Sequence, residues 1–461
     1  MAGIGFVLRK LSRQDNLMGL FQAYVYSSLI STGPWIFTIV SLGGITFIAG
    51  KFTSIETISE FRRVVIYNFS FSLVFTAPVY MVVTRFLADS IYDRNVERTP
   101  GILVGSTLLV FAYEVPLSVW FYFGYANISS ALAFSAVINF LLISEIWLIS
   151  VFVTALKDYK TVVAAFGFGM LFGVLATGLL VDEYDLIGIL NSFSLGLSLI
   201  VALLVARIFA EYPYRFKDPF AFLVYFPKYW EVAVSGVTYN TAVWVDKWIM
   251  WHAPESDHSL TKLPLYPNYD SAMFLAYLSI VPSMAMFVMS IETNFFEHYL
   301  KFYRDIQQKA TLKDIRENHE VLIKAILSSA RNFIVFQGCL TVVFILMAGP
   351  MFNLFKINFL QISIYRYGVL GSFFQTLTLF INIILSYFDC RRAYMTLQTI
   401  FLVTSASFTL AAYNLGFRYY GFGFYLACVL TFVISAVYLM RYVLKLPYHT
   451  FVTTNASVQK V

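Results

Sequence analysis

The sequence predicts an all-α polytopic membrane protein, with twelve transmembrane helices in two pseudo-symmetric six-helix lobes. Three observations carry this. The 461 residues are 59% hydrophobic and only 13% charged, with a mean hydropathy of +0.72, outside the range of ordinary soluble domains. Apolar runs of about 20 residues, enough to cross a hydrocarbon core of about 30 Å, recur from one end to the other. The runs are also continuous, whereas a β-barrel would show alternating segments of about ten residues.

The elements follow in order. In residues 1–18, Ile4, Val7, Leu8 and Leu11 share one helical face while Arg9, Lys10 and Arg13 lie toward the other. This predicts an amphipathic interfacial helix on the inner leaflet, without the apolar core of a secretory signal. An N-terminal six-helix lobe over 19–210 holds spans near 20–48, 64–87, 101–123, 129–155, 160–181 and 187–209. A cytoplasmic interfacial linker at 211–228 follows, in which basic residues alternate with aromatics. The C-terminal six-helix lobe over 229–445 has spans near 229–251, 270–293, 326–349, 362–387, 393–416 and 419–441, and residues 446–461 form a cytoplasmic tail. Between the eighth and ninth spans, Tyr299, Phe302, Tyr303 and Ile306 share a face, which predicts a second interfacial helix.

Because each half has an even number of spans, both halves begin on the same side, and a repeat relating them would be parallel, about an axis along the membrane normal. Pro78 and Pro282 sit mid-span at matching depth in the second span of each half. The first span of each half carries a largely polar stripe at helical spacing, Tyr24, Ser27, Ser28, Ser31 and Trp35 in one, Ser235, Thr238, Tyr239, Ala242 and Asp246 in the other. Such stripes line a path, or equally let helices pack closely. Gly33 with Pro34, Pro78, Pro116 and Pro282 are the hinge candidates, since proline removes a helix hydrogen bond.

Of the 32 Lys and Arg, 24 fall in loops on one side, which places both termini in the cytoplasm. Scattered over short loops, they form no nucleic-acid-binding patch. Cys339, Cys390 and Cys428 have no disulfide or metal-ligand spacing. The five histidines lie in loops or at span ends, without an HExxH motif. The glycines of GFGMLFG (167–173) sit inside a span, where they permit helix contact, and DEYD (182–185) reads as a solvated turn. No enzymatic signature, metal site or cofactor site is expected.

What remains is a sparse set of ionisable groups within spans. A charge at span centre costs about 2.5–3.5 kcal/mol on insertion scales, so each should face protein or water. Glu114, beside Pro116, and Glu145 are the deepest, and antiparallel spans three and four bring both near the midplane. They are candidates for a hydrated path or a coupling-cation site, with packed structural acids the alternative. Asp246 and Lys247 are adjacent and point about 100° apart, which predicts that they are not partners. Lys247 is expected to snorkel to the outer interface. Asp246, with Tyr239 and Asn240 beside it, is expected to face a cavity between the lobes, and Trp244, Trp248 and Trp251 suit an interfacial belt.

The run GIGFVLRKLSRQDNLMGLFQAYVYSSLISTGPWIFTIVSLGG, the GPW within it and the later YNTAVWVDKWIMW resemble the PelG family, membrane transporters of the Pel exopolysaccharide system, over essentially the whole chain. That family is similar to the multidrug/oligosaccharidyl-lipid/polysaccharide exporters. The resemblance implies two six-helix lobes around a cavity lined by the first and seventh spans, and a polymer rich in N-acetylgalactosamine. It also implies delivery by the glycosyltransferase PelF, a complex with the membrane proteins PelD and PelE, and residence in the inner membrane. It brings no catalytic motif; only the neighbourhoods of Gly33, Pro34, Asp246 and Lys247 carry over. Flippases of lipid-linked precursors are expected to hold cavity basic residues for a pyrophosphate. Here the spans favour acids, apart from Lys247, Arg85 and Arg331, which favours a neutral or amine-bearing glycan. Three functions compete: a polysaccharide transporter, a cation-coupled flippase or antiporter, and a scaffold recruiting the glycosyltransferase through loop 301–324.

Overall fold

The computed structural model describes residues 17–156, 158–257, 261–290, 295–354 and 357–453, with side chains from Thr32 onward. The expected helix in residues 1–18 lies essentially outside them, as do residues 454–461 of the expected tail. All long elements are helices: α1 Leu17–Ala49, α2 Ile55–Tyr92, α3 Thr99–Val119, α4 Ser130–Leu156, α5 Tyr159–Glu211, α6 Trp230–Met250, α7 Pro267–Leu278, α8 Val281–Ser290, α9 Phe296–Gln307, α10 Leu312–Leu354, α11 Gln361–Tyr387, α12 Arg391–Leu415 and α13 Phe422–Leu444. Among the described residues, nine helices are long and apolar enough to cross a membrane. Helix α5 counts once, although Asp185 (φ 46°, ψ −123°) reverses the chain within it. The expected seventh span, α6, is diluted by Glu231, Asp246 and Lys247. The eighth is divided between α7 and α8, each too short to cross alone.

Packing divides the chain into two compact units. One comprises Thr32–Trp244 and Trp251–Tyr266, the other Met1–Ser31, Val245–Met250 and Pro267–Val461. The division therefore falls inside α1 and α6, away from the linker at 211–228, which belongs wholly to the first unit.

In the first unit, α2 to α5 enclose a core of Phe61, Val64, Val82, Leu148, Ile149, Phe193 and Leu197. The two limbs of α5 meet at glycines. A Cβ on Gly169 would come within 2.8 Å of the Gly196 carbonyl, and one on Gly196 within 2.7 Å of the Gly169 carbonyl. The DEYD turn joins the limbs, and the Asp185 carboxylate accepts from Thr53 and Thr57. At the opposite end, Asp158 caps α5 through the Thr161 amide at 3.3 Å. Arg207, 2.7 Å away, holds its carboxyl below the usual range.

The linker is seated on α3 by two glycines one turn apart. A Cβ on Gly101 would lie 2.1 Å from the Lys217 carbonyl oxygen and one on Gly105 1.8 Å from that of Pro219, so only glycine admits the linker backbone. Exposed pairs Arg98–Asp218 at 3.1 Å and Lys217–Glu97 at 3.3 Å flank this seat. Gly105→Leu is expected to lift the linker off α3, lowering stability by about 1–3 kcal/mol and opening 211–228 to protease. Gly178→Ala, with open space around it, should do neither. Thermal unfolding and limited proteolysis of the two variants check this.

The loop after α6 is clamped onto α2. Arg63, fully buried, reaches Asp257 and Glu60 at 2.8 Å each and Thr261 at 3.1 Å. Tyr67 donates to the Pro264 carbonyl at 2.8 Å and stacks on Trp251 at 4.6 Å. Trp251 is thus a buried packing residue, while Trp244 and Trp248 are half-buried.

In the second unit α11 is the most enveloped helix, packed by α7, α10, α12 and α13, with Phe333 stacked on Phe380 at 5.8 Å. Helix α9 forms where expected and turns Phe302 into the core, while Tyr299 donates to the Tyr387 carbonyl at 2.9 Å. The prolines behave differently in the two units. Pro78 stays within continuous α2, whereas Pro282 opens α8 after a break at Ser279 and Ile280. Gln337 covers that break, donating to the Ser279 carbonyl at 3.4 Å and accepting from the Ser283 hydroxyl.

Candidate functional site

Two buried polar clusters form, one inside each unit. In the first unit Glu114 on α3 and Glu145 on α4 are both buried. Helix geometry explains the arrangement: Thr107 and Glu114 are seven residues apart, on one face of α3 that meets α4. Thr107 donates to Glu145 Oε1 at 2.8 Å, and Thr76 of α2 donates to Glu114 Oε1 at 3.0 Å. The second oxygen of each carboxylate, Oε2, has no hydrogen-bond partner. Ser144 borders Glu114, and Glu145 is close enough to act on it electrostatically. Pro116, two residues beyond Glu114, precedes a π-helical turn at Trp120–Tyr125, an irregularity common at functional sites.

Along α2 this cluster continues into residues that the sequence reading missed. Trp147 donates to Ser72 at 3.3 Å. Asn68 accepts from the Tyr122 hydroxyl at 2.5 Å and donates to Asn139 Oδ1 at 2.8 Å, and Asn139 donates to Ser194 at 3.0 Å. Asn68, Ser72 and Thr76 recur every four residues, a visible signal that a polar stripe runs down α2 as well as the first spans of each half.

In the second unit Asp246 and Lys247 are buried together. Contrary to expectation they are direct partners: Lys247 Nζ lies 2.9 and 3.1 Å from the two Asp246 oxygens. The 100° offset is bridged by the four-carbon lysine stem, and a buried ammonium is held by the nearest carboxylate more strongly than by distant water. Lys247 does not snorkel. Its ammonium lies 4.9 Å from the Tyr277 ring centre and 5.7 Å from that of Phe424, cation–π contacts in a desolvated site. Tyr269 donates to Asp246 Oδ2 at 3.1 Å. Asp246 is buried, and its two oxygens are taken up by the Lys247 ammonium and the Tyr269 hydroxyl.

The other candidates are dispersed. Asn240 donates to the Tyr80 hydroxyl at 2.9 Å in the first unit, and Tyr239 is half-buried. The side chains of Tyr24, Ser27, Ser28 and Ser31 lie outside the described residues. Gly33 packs against Val163, and the Pro34 carbonyl accepts from Thr38 at 2.9 Å. Arg85 is committed to Asp89 at 3.4 Å and to the Tyr229 ring at 5.0 Å. Among the described residues no group of three His, Cys, Asp or Glu could hold a metal ion.

The all-helical body, with its buried acids and buried ion pair, is similar to solved structures that define its fold. A MOP superfamily transporter from Pyrococcus furiosus aligns with a TM-score of 0.64 at 12% identity, over 92% of this chain and 96% of that one. An outward-facing multidrug resistance MATE family transporter of the same superfamily aligns with a TM-score of 0.63 at 13% identity, over 96% and 98%. The inward-facing form of such a transporter scores 0.57 at 13% identity, over 95% and 98%. The chain shares the fold of these MOP superfamily transporters. By sequence the chain belongs to the PelG family, described as "Putative exopolysaccharide Exporter (EPS-E)", whose model matches residues 1–451. No curated protein matches the chain.

Proposed function

We propose that the chain carries the growing Pel polysaccharide, a polymer rich in N-acetylgalactosamine, across the cytoplasmic membrane. The polymer is received from the cytoplasmic glycosyltransferase PelF, with PelD and PelE in the same complex. The chain crosses the bilayer twelve times in a lobe at 19–210 and a lobe at 229–445, both termini cytoplasmic. The observation that carries this reading is the match to an exopolysaccharide exporter family over nearly the full length. The buried polar content supports a glycan cargo over a lipid pyrophosphate, since Lys247 and Arg85 are already paired and Arg331 is exposed, outside the buried polar clusters.

Coupling to a cation is supported by Glu114 and Glu145, each sealed in with one unpartnered oxygen. A buried acid in that condition has one acceptor site open to a proton or small cation. The proposal is tested in cells that make the polymer. Removing the chain is expected to abolish extracellular N-acetylgalactosamine polymer, and restoring the wild-type chain to recover it. Undiminished secretion without the chain would refute the proposal.

A further inference from the structure

Helices α10, α11 and α13 of the second unit enclose an apolar crevice of about 150 Å³. Its floor is Phe380 with Leu377 and Ile381 of α11, all buried. Its walls include Ala330 and Ile334 of α10, and Ala436 and Met440 of α13. Leu327, Ile334 and Met440 remain 41–46% exposed, so the crevice opens outward. On either side the opening is continued by exposed apolar residues, Val335, Val342 and Leu346 on α10 and Val433 and Val437 on α13. Two membrane-crossing helices with such outer faces present them to lipid. An apolar crevice open on a lipid-facing surface is a favourable seat for hydrocarbon.

Basic residues stand beside the lining positions along both outer helices. Lys324 and Arg331 on α10, and Arg441 and Lys445 at the end of α13, are all exposed and make no ion pair with the described residues. Arg331 lies four residues from Leu327 and three from Ile334, so it shares their face. Arg441 neighbours Met440, and Lys445 follows it by one turn. Among the described residues within a turn of the lining positions, Glu320 is the one acid on α10, and no acid stands on α13. Lysine and arginine stems can lie along apolar surface and hold their charges at headgroup level.

We propose that this crevice binds an anionic phospholipid, with an acyl chain between α10 and α13 over Phe380 and the headgroup phosphate among Lys324, Arg331, Arg441 and Lys445. The apolar lining selects hydrocarbon and the unpaired cations select the negative headgroup, with each basic residue near an anionic bilayer surface adding to the attraction. The site lies entirely in the second unit and uses none of the ionisable residues assigned to transport.

The test uses the purified full-length chain in detergent, titrated with dioleoyl phosphatidylglycerol or dioleoyl phosphatidylcholine, and read by native mass spectrometry and by thermal unfolding. Phosphatidylglycerol is expected to remain bound and raise Tm at about tenfold lower concentration than phosphatidylcholine. Ala330→Phe, which fills the crevice, should weaken phosphatidylglycerol binding about tenfold. The exposed double change Lys324→Gln with Arg441→Gln should make the two lipids equivalent, and because both sites are on the surface its folding is not at risk. Equal binding of the two lipids by the wild type would overturn the proposal, as would a double variant that still prefers phosphatidylglycerol. Unchanged binding by Ala330→Phe, or displacement of the lipid by millimolar inorganic phosphate, would show a phosphate surface without a chain site and would equally refute it.

Discussion

Asp246→Ala is expected to lower folding stability by about 3–5 kcal/mol, the largest effect of any single change considered. The reason is electrostatic. Removing the carboxylate deprives the buried Lys247 ammonium of an ion pair at 2.9 Å, for which its contacts with the faces of Tyr277 and Phe424 are a weak substitute, and it also removes the acceptor at 3.1 Å from the Tyr269 hydroxyl. A buried pair is costly to break but is itself a weak stabiliser, because desolvation offsets most of the attraction. Changing both partners at once, Asp246→Leu with Lys247→Met, should therefore recover most of the loss. Thermal unfolding of the single and double variants decides it. A single variant with the wild-type Tm, or a double variant worse than the single, would contradict the arrangement described.

The second large effect concerns export. Glu114→Gln and Glu145→Gln keep side-chain size and can retain the bonds from Thr76 and Thr107, so each variant should fold, while neither residue can any longer exchange a proton. Each is expected to reduce polymer flux by tenfold or more and to flatten its dependence on pH. Thr76→Val and Thr107→Val act through the same carboxylates and should shift the pH profile without abolishing flux. Flux measured against pH in vesicles containing each variant separates these results from simple misfolding. If both glutamine variants carried polymer at the wild-type rate with the wild-type pH profile, the acids would be packing residues only.

Hydropathy made the helices legible because burial in lipid is paid residue by residue along a contiguous run. The same physics exposed Glu114, Glu145 and Asp246, since an ionisable group in an apolar run is conspicuous. Their partners were hidden because partnership is set by tertiary contact. Thr76 and Thr107 each stand 38 residues from the acid they serve, and Arg63 finds Asp257 across 194. Lys247 was misplaced for a different reason: helical spacing fixes where Cβ points, not where a long flexible side chain ends. Gly101 and Gly105 had the spacing of a helix contact, yet what lies on them is the linker backbone. The break before Pro282 is covered by Gln337, whose amide donates to the Ser279 carbonyl from another helix. Nothing in the local sequence distinguished that proline from Pro78.

The most direct test of the account is made in sealed vesicles holding the chain with its glycosyltransferase supplied outside, scoring polymer protected in the lumen with and without an imposed proton gradient. Lumenal N-acetylgalactosamine polymer that rises with the gradient and falls to background in Glu114→Gln is the predicted result. Polymer confined to the outside under every condition, with the protein folded and correctly inserted, would contradict it.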